Sequence, residues 1–461
     1  MIPPTDPGRH GLAVASCPAS RRSSSPPVLT SFTAHLPETF DPAVTRPEWA
    51  AYACWVVSAV VIRRYVDKDA DDNTFVPLDH EYIDRHIPRK VRKPLLEDLK
   101  QAGVLECDGV YYFGCPSGKR DRRHVPGPPG KCLCYRLGPA HRGAKIRPHP
   151  LTHPELLRKV SMAYQQERAG VTAPVHIALR GWHDRVEVLP AAPHGEHPLL
   201  DRLIEGERRF TVCAQGRVHT NCANLPRQYR QYIRLDGREL ESLDIVNSQQ
   251  LLMAVLLKRR EEERSRSREA VCDPCSDASK NDYLRDCLDG SVYDRLAALT
   301  GRTRDDVKSM FLAVIYGHPA DMHTRVGEAV RRLYPGVFDA VVDLNYRLGH
   351  GGLPRMMQAM ESGVMIRRVA ARLLREWPGM PLLTVHDSIL APAEYSDHVL
   401  RVIEEEWLDE FGVVPLTKTS TFTSPQEARK KRPKRRGRSA WKKLERTDRG
   451  GVGGRCSPSP A

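Results

Sequence analysis

From Trp49 to Tyr65 the chain is apolar on every helical face, interrupted by Ser58 and closed by Arg63-Arg64. That pattern predicts an apolar helix. Its uncharged run, Ala50 to Ile62, is shorter than the roughly 18–20 residues a membrane span needs. Thr74-Phe75-Val76 predicts a short strand, Leu78 to Ile87 a second helix, and Lys90 to Ala102 a third that Gly103 stops. Val104-Leu105-Glu106, the turn Asp108-Gly109 and Val110-Tyr111-Tyr112-Phe113 predict a strand entering a hairpin, with Cys132 to Leu137 as its return. The loop between is long and basic (Lys119, Arg120, Arg122, Arg123, Lys131).

This helix–helix–hairpin order over residues 46–140 resembles a winged-helix domain. The resemblance implies that the third helix presents Arg89, Lys90, Arg92 and Lys93 to duplex DNA, with the hairpin as the wing. The alternative is a small α/β domain that packs on its neighbour and whose charges are merely solvated. Residues 141–215 are weakly patterned and read as a linker or thumb-like region. Only a helix over Pro154 to Arg168 and a hairpin over Phe210 to His219, turning at Gln215-Gly216, stand out. Residues 1–45 and 424–461 carry too little apolar surface to offset ordering entropy and are expected to be disordered.

Charge sharpens the picture. Of 461 residues, 71 are Lys or Arg and 57 are Asp or Glu, a net +14. Thirteen of the cations lie from Arg429 onward, so the body is close to balanced and the tail is a polycation. A polyanion ligand, most simply nucleic acid, fits that asymmetry, and a eukaryotic nuclear address is the other reading of the tail. No signal-peptide order opens the chain, and twelve cysteines are too few for a secreted disulfide scaffold. A reducing cytoplasmic location is expected, nucleoid-associated if the source is bacterial, without a membrane partner. The stretch Lys258 to Ser279 reads as an exposed charged excursion. Its Cys272-x2-Cys275 is at most half a zinc site, with Cys287 or a distant partner, and unliganded thiols are the expectation.

Four segments suggest chemistry. They are Gly216-Arg217 with Asn224-Leu225-Pro226; Leu243-Asp244 through Gln249; Arg304, Lys308, Leu312 and Tyr316 before Gly317; and Leu382-Leu383-Thr384-Val385-His386-Asp387. The second and fourth are apolar runs of strand character, each ending in a carboxylate. Two such aspartates on neighbouring strands can hold two divalent ions roughly 3.5–4 Å apart, a clamp for in-line phosphoryl transfer. Hard oxygen ligands favour Mg²⁺. In the third segment a four-residue spacing puts two cations and two apolar groups on one slowly drifting helix face.

Taken in this order, the segments resemble the polymerase core of the bacterial DNA polymerase I family (family A), over about residues 210–420. The specific matches are Arg304, Lys308, Tyr316 and Gly317, then Val385, His386 and Asp387. The resemblance implies an α+β fold: a right-hand palm, an antiparallel sheet with helices, plus helical fingers over 216–423, preceded by the winged-helix-like domain. It implies that Asp244 and Asp387 bind two Mg²⁺. Arg304 and Lys308 would hold the triphosphate, with Lys308 also a proton donor to pyrophosphate. Leu312 and Tyr316 would pack near the nascent base pair, Arg217 and His386 would touch the primer terminus, and Glu361 would lie on the template side. A Val414-Pro415-Leu416 strand would end the palm.

Departures qualify the match. Leu312 stands where these DNA polymerases carry an aromatic ring and is closer to the phage-type single-subunit RNA polymerases, which share this palm. Gln249, five residues after Asp244, stands where a Glu blocks a ribose 2′-OH, and is nearly isosteric with it. Aligning the Ser-Gln pair by type instead shifts that register by two. The expected function is a template-directed DNA polymerase acting on a DNA primer–template with nucleoside triphosphates, in replication of a mobile element, phage or plasmid. The alternatives are a primer-independent RNA polymerase or primase-like enzyme, and an inactive DNA-binding protein.

Overall fold

A computed structural model describes residues 30–67, 70–111, 131–266, 274–316, 322–349 and 351–422. The fold is mixed α+β, mostly helical, with several small antiparallel sheets. No helix among the described residues is long and apolar enough to cross a membrane.

Two hydrophobic cores divide the chain. The first is contiguous in sequence, running from Ala34 to Val160. Its centre is the helix Ala50–Val66, in which every residue from Tyr52 to Ile62 is buried, as an all-round apolar run requires. Around it lie the strand Val76–Pro77, the helices His80–His86 and Arg89–Gln101, and the strands Leu105–Cys107 and Cys134–Leu137. The strands form one sheet with Cys134–Leu137 in the middle. Asp79 caps the second helix by accepting the Glu81 amide at 2.7 Å.

The hairpin differs in detail from the sequence reading. Leu105 pairs directly with Leu137 and Cys107 with Tyr135, while Val110 and Tyr111 lie outside the strand. Asp108 ends the pairing early, because its carboxylate collects the Val110 amide, the Cys134 amide and the Lys131 ammonium. Tyr112, Phe113 and the loop cations Lys119, Arg120, Arg122 and Arg123 fall outside the described residues.

Residues 30–45 are structured, contrary to the expectation for the whole N-terminal stretch. Phe32–Pro37 is a strand antiparallel to Ile146–Leu151, and it buries Ala34, His35 and Leu36. Residues 1–29 and 423–461 lie outside the described residues. Nor are residues 141–215 a linker. They form the helices Pro154–Ala169, Pro174–Asp184 and Pro198–Ile204. Leu179, Trp182, Leu199, Leu200 and Phe210 enter the second core, and the helix Pro174–Asp184 packs against Leu383–Val385 of the sheet that carries Asp244.

That sheet has four antiparallel strands in the order Leu383–Val385, Ser388–Ala391, Glu241–Ile245, Thr417–Ser420. The helices Ser248–Arg266, Gly352–Val364 and Ser396–Phe411 pack around it, the last burying Trp407 completely. The closing strand starts after Val414-Pro415-Leu416. Val414 and Leu416 are exposed there, and pairing beside Asp244 is taken up by the polar Thr417–Ser420. The charged stretch from Lys258 is largely helical: Ser248–Arg266 runs into it and Pro274–Leu288 leaves it. Cys272 lies outside the described residues. Cys287 is fully buried, and burial pushes its thiol far above the ordinary range, so it is a core thiol.

Candidate active site

The two aspartates are neighbours because their strands are. Leu243 pairs with Ile389, so Asp244 lies next to Ser388, whose hydroxyl donates to Asp244 Oδ1 at 3.0 Å. Asp387 directly precedes Ser388. Val385 pairs with Ser388, leaving His386-Asp387 as a two-residue turn, and His386 has φ +56°, in the left-handed region such tight turns use. Burial pushes the Asp387 carboxyl above the usual range, and the Asp244 charge pushes it further. The Ser248 hydroxyl, which donates to Asp387 Oδ2, opposes the rise.

The Asp244 carboxylate adds to the rise of the buried Asp387 carboxyl, so the pair attracts positive charge. Their donors are hard oxygens, the type Mg²⁺ prefers. Asp244 and Asp387 therefore fit the divalent ions that the polymerase resemblance implies, with Ser248 and Ser388 as their supports. Among the described residues no group of three or more His, Cys, Asp or Glu side chains gathers in a metal-binding arrangement.

Beside the pair runs a polar chain that joins four elements. Tyr316 Oη donates to Gln249 Oε1, Gln249 Nε2 donates to Glu361 Oε2, and Arg217 Nη2 donates to both Glu361 oxygens at 2.7 and 2.8 Å. Glu361 is only 1 % exposed. Burial raises its carboxyl to about 7 despite the Arg217 guanidinium, and the Asp387 charge adds to the rise. Arg217 reaches Glu361 because Gly216, at φ +81°, turns the hairpin Phe210–Val212/Val218–Thr220 sharply enough to aim it there. A side chain at 216 would be strained in that backbone region. Gln249 is thereby fixed at both ends of its amide, an orientation that isolated residues in the sequence do not reveal.

The helix Arg304–Tyr316 buries Val307, Met310, Phe311, Val314 and Ile315. The opposite face carries Arg304 and Lys308, both exposed, then Leu312 and Tyr316, both half-buried. Tyr316 binds this face to the carboxylate site through Gln249. Lys308 stands two turns away, about 12 Å along the axis. Arg304 pairs with Asp294 at 3.1 Å and lies over the Tyr293 ring. Gly317 is outside the described residues.

The structure thus brings together Asp244, Asp387, His386, Gln249, Tyr316, Glu361 and Arg217, and leaves Arg304 and Lys308 on the outer turns of one adjoining helix. Reading the sequence missed Ser248, Ser388 and Lys418. Lys418 Nζ stands 3.4 Å from Asp244 Oδ2. In the N-terminal unit Arg89, Lys90 and Lys93 are exposed. Arg92 is not a free contact: it is drawn onto Asp84 at 2.5 Å and onto the His80 carbonyl, fixing the second helix against the third. Arg89 also reaches Asp84, at 3.3 Å, while remaining 86 % exposed. No known family model matches this chain, and no curated protein matches its sequence.

Proposed function

We propose that the chain is a template-directed nucleotidyltransferase with a palm and fingers of family-A type, most simply a DNA polymerase, preceded by a winged-helix-like DNA-binding unit. The observation that carries this reading is the convergence of Asp244 and Asp387 at adjoining ends of one antiparallel sheet. With it goes the cationic helix face of Arg304 and Lys308, tied to the same site through Tyr316 and Gln249. When bound between the two aspartates, divalent ions would supply charge neutralisation for phosphoryl transfer.

The chain's own groups supply the rest. Lys308 and Arg304 offer ammonium and guanidinium donors to triphosphate oxygens, and Lys308 can give a proton to the departing pyrophosphate. Arg304 has to exchange Asp294 for phosphate to do so. Leu312 and Tyr316 offer an apolar and an aromatic surface to the nascent base pair. His386, on the turn that presents Asp387, and Arg217 face the primer end. Gln249, clamped between Tyr316 and Glu361, forms a fixed wall where a ribose 2′-hydroxyl would project. Replacing it with glycine is expected to raise the ratio of rNTP to dNTP incorporation by at least about tenfold, read by competing the two sugars on one primed template. An unchanged ratio would remove the wall.

In the N-terminal unit, the order helix, strand, helix, helix, strand, strand, with the last strand central, supports the winged-helix reading. The triple change Arg89→Ala, Lys90→Ala and Lys93→Ala is expected to weaken duplex binding. It should also reduce the slope of log affinity against log salt by about 2–3, whereas Arg92→Ala should lower stability instead. The function is tested by nucleotide incorporation on DNA and RNA templates, with and without primer, using both sugars and Mg²⁺. Primed dNTP incorporation supports the DNA polymerase. Unprimed rNTP incorporation supports the primase-like alternative, and none supports a binding protein alone.

A further inference from the structure

Thr417–Ser420 lies antiparallel to Glu241–Ile245 with Lys418 directly opposite Asp244. Residues paired in this way project from the same face of a sheet. Asp244 therefore has both oxygens engaged. Oδ1 accepts from the Ser388 hydroxyl at 3.0 Å, and Oδ2 faces the Lys418 ammonium at 3.4 Å. Arg230, which feels the Asp244 charge, donates to the Leu225 and Ala223 carbonyls. Lys418 is half exposed, on the outermost strand of the sheet, and its flexible four-carbon stem can move without disturbing the core.

We propose that Lys418 is a resident monovalent counter-ion for Asp244. It holds Oδ2 in place of a divalent cation and must withdraw before one binds, so it sets the Mg²⁺ concentration at which the site fills. The proposal rests on reading Asp244 and Asp387 as the metal-binding pair. It makes Lys418 a positioning residue: it acts on the occupancy of the site rather than on the reacting atoms. A solvent-accessible Lys–Asp pair is weak, so the threshold it imposes is shallow.

The test is direct binding of Mn²⁺ to the full chain, followed by loss of the free-ion electron paramagnetic resonance signal, without nucleotide or DNA. Lys418→Met is expected to bind Mn²⁺ about two- to fivefold more tightly than the unaltered chain. Lys418→Arg, which keeps the charge, is expected to show no such gain. Asp244→Asn is the control that identifies the site, and circular dichroism checks that each variant is folded. If the unaltered chain binds Mn²⁺ in an Asp244-dependent way and Lys418→Met binds it equally or more weakly, the proposal is overturned and the two-metal reading stands. If neither the unaltered chain nor Lys418→Met binds Mn²⁺ at millimolar concentration, both are overturned.

Discussion

Asp387→Asn is expected to lower single-turnover nucleotide incorporation by at least about a thousandfold while leaving the melting temperature unchanged or higher. The two effects have one origin. The folded protein holds the Asp387 carboxyl in a place that disfavours its charge, through burial first and the Asp244 carboxylate second. Keeping that anion costs stability and makes the site attractive to a divalent cation. Asparagine removes the repulsion and keeps an oxygen that can accept from the Ser248 hydroxyl, so the turn survives. What it removes is half of the protein's charge at the proposed metal site. Asp244→Asn should act in parallel on incorporation. Rates within tenfold of the unaltered chain for both variants would show that the pair is not the catalytic centre.

The second large effect is on stability. Arg217→Ala leaves Glu361, 1 % exposed, without its cation, and removing one partner of a buried pair costs about 3–5 kcal/mol. The pH dependence gives this a signature. The Glu361 carboxyl is raised from its ordinary 4.5 to about 7, so the folded chain holds a proton that the unfolded chain has released between those values. The stability tied to that proton is fully present below pH 4.5 and is lost as pH rises through 7. Without Arg217, which pulls the carboxyl down, the loss extends to higher pH. Urea unfolding should therefore show a larger deficit for Arg217→Ala at pH 8 than at pH 6, and Glu361→Gln in the same chain should recover most of it. A deficit under about 1 kcal/mol, equal at both pH values, would mean that water screens the pair.

The sequence revealed those parts of the fold that local pattern controls. The Trp49–Tyr65 run, the Asp79-capped helix and the basic third helix each form within two residues of the spans their composition predicts. Asp244 and Asp387 are expected as neighbours from the order of segments in the polymerase resemblance; only Leu382 to Val385 before His386-Asp387 is an apolar run, and Asp244 follows the mixed Glu241-Ser242-Leu243. Non-local pairing was invisible. Phe32–Pro37 sits next to a Pro- and Ser-rich stretch, and its partner, Ile146–Leu151, begins over a hundred positions later. The Tyr316–Gln249–Glu361–Arg217 chain draws on four separated segments, and polar residues carry no periodic mark of whom they will meet. Arg92 shows the converse limit: a cation on a helix face has the same spelling whether it faces water or is held by Asp84. Val414-Pro415-Leu416 looked like a strand because it is apolar, yet the register beside Asp244 belongs to the four residues after it.

The strand that flanks Asp244 is among the last described segments of the chain, whereas the core around Ala50–Val66 is complete by Val160. Most of that first core therefore leaves the ribosome long before the acidic pair has its final neighbour, although the buried His35–Asp201 contact ties its first strand to a later helix. A message cut short before codon 417 would yield a product with its basic third helix correctly displayed and its Asp244 edge open. If the front module grips duplex DNA, such a fragment would occupy template without extending it, and a nonsense mutation late in the gene would be dominant rather than merely null.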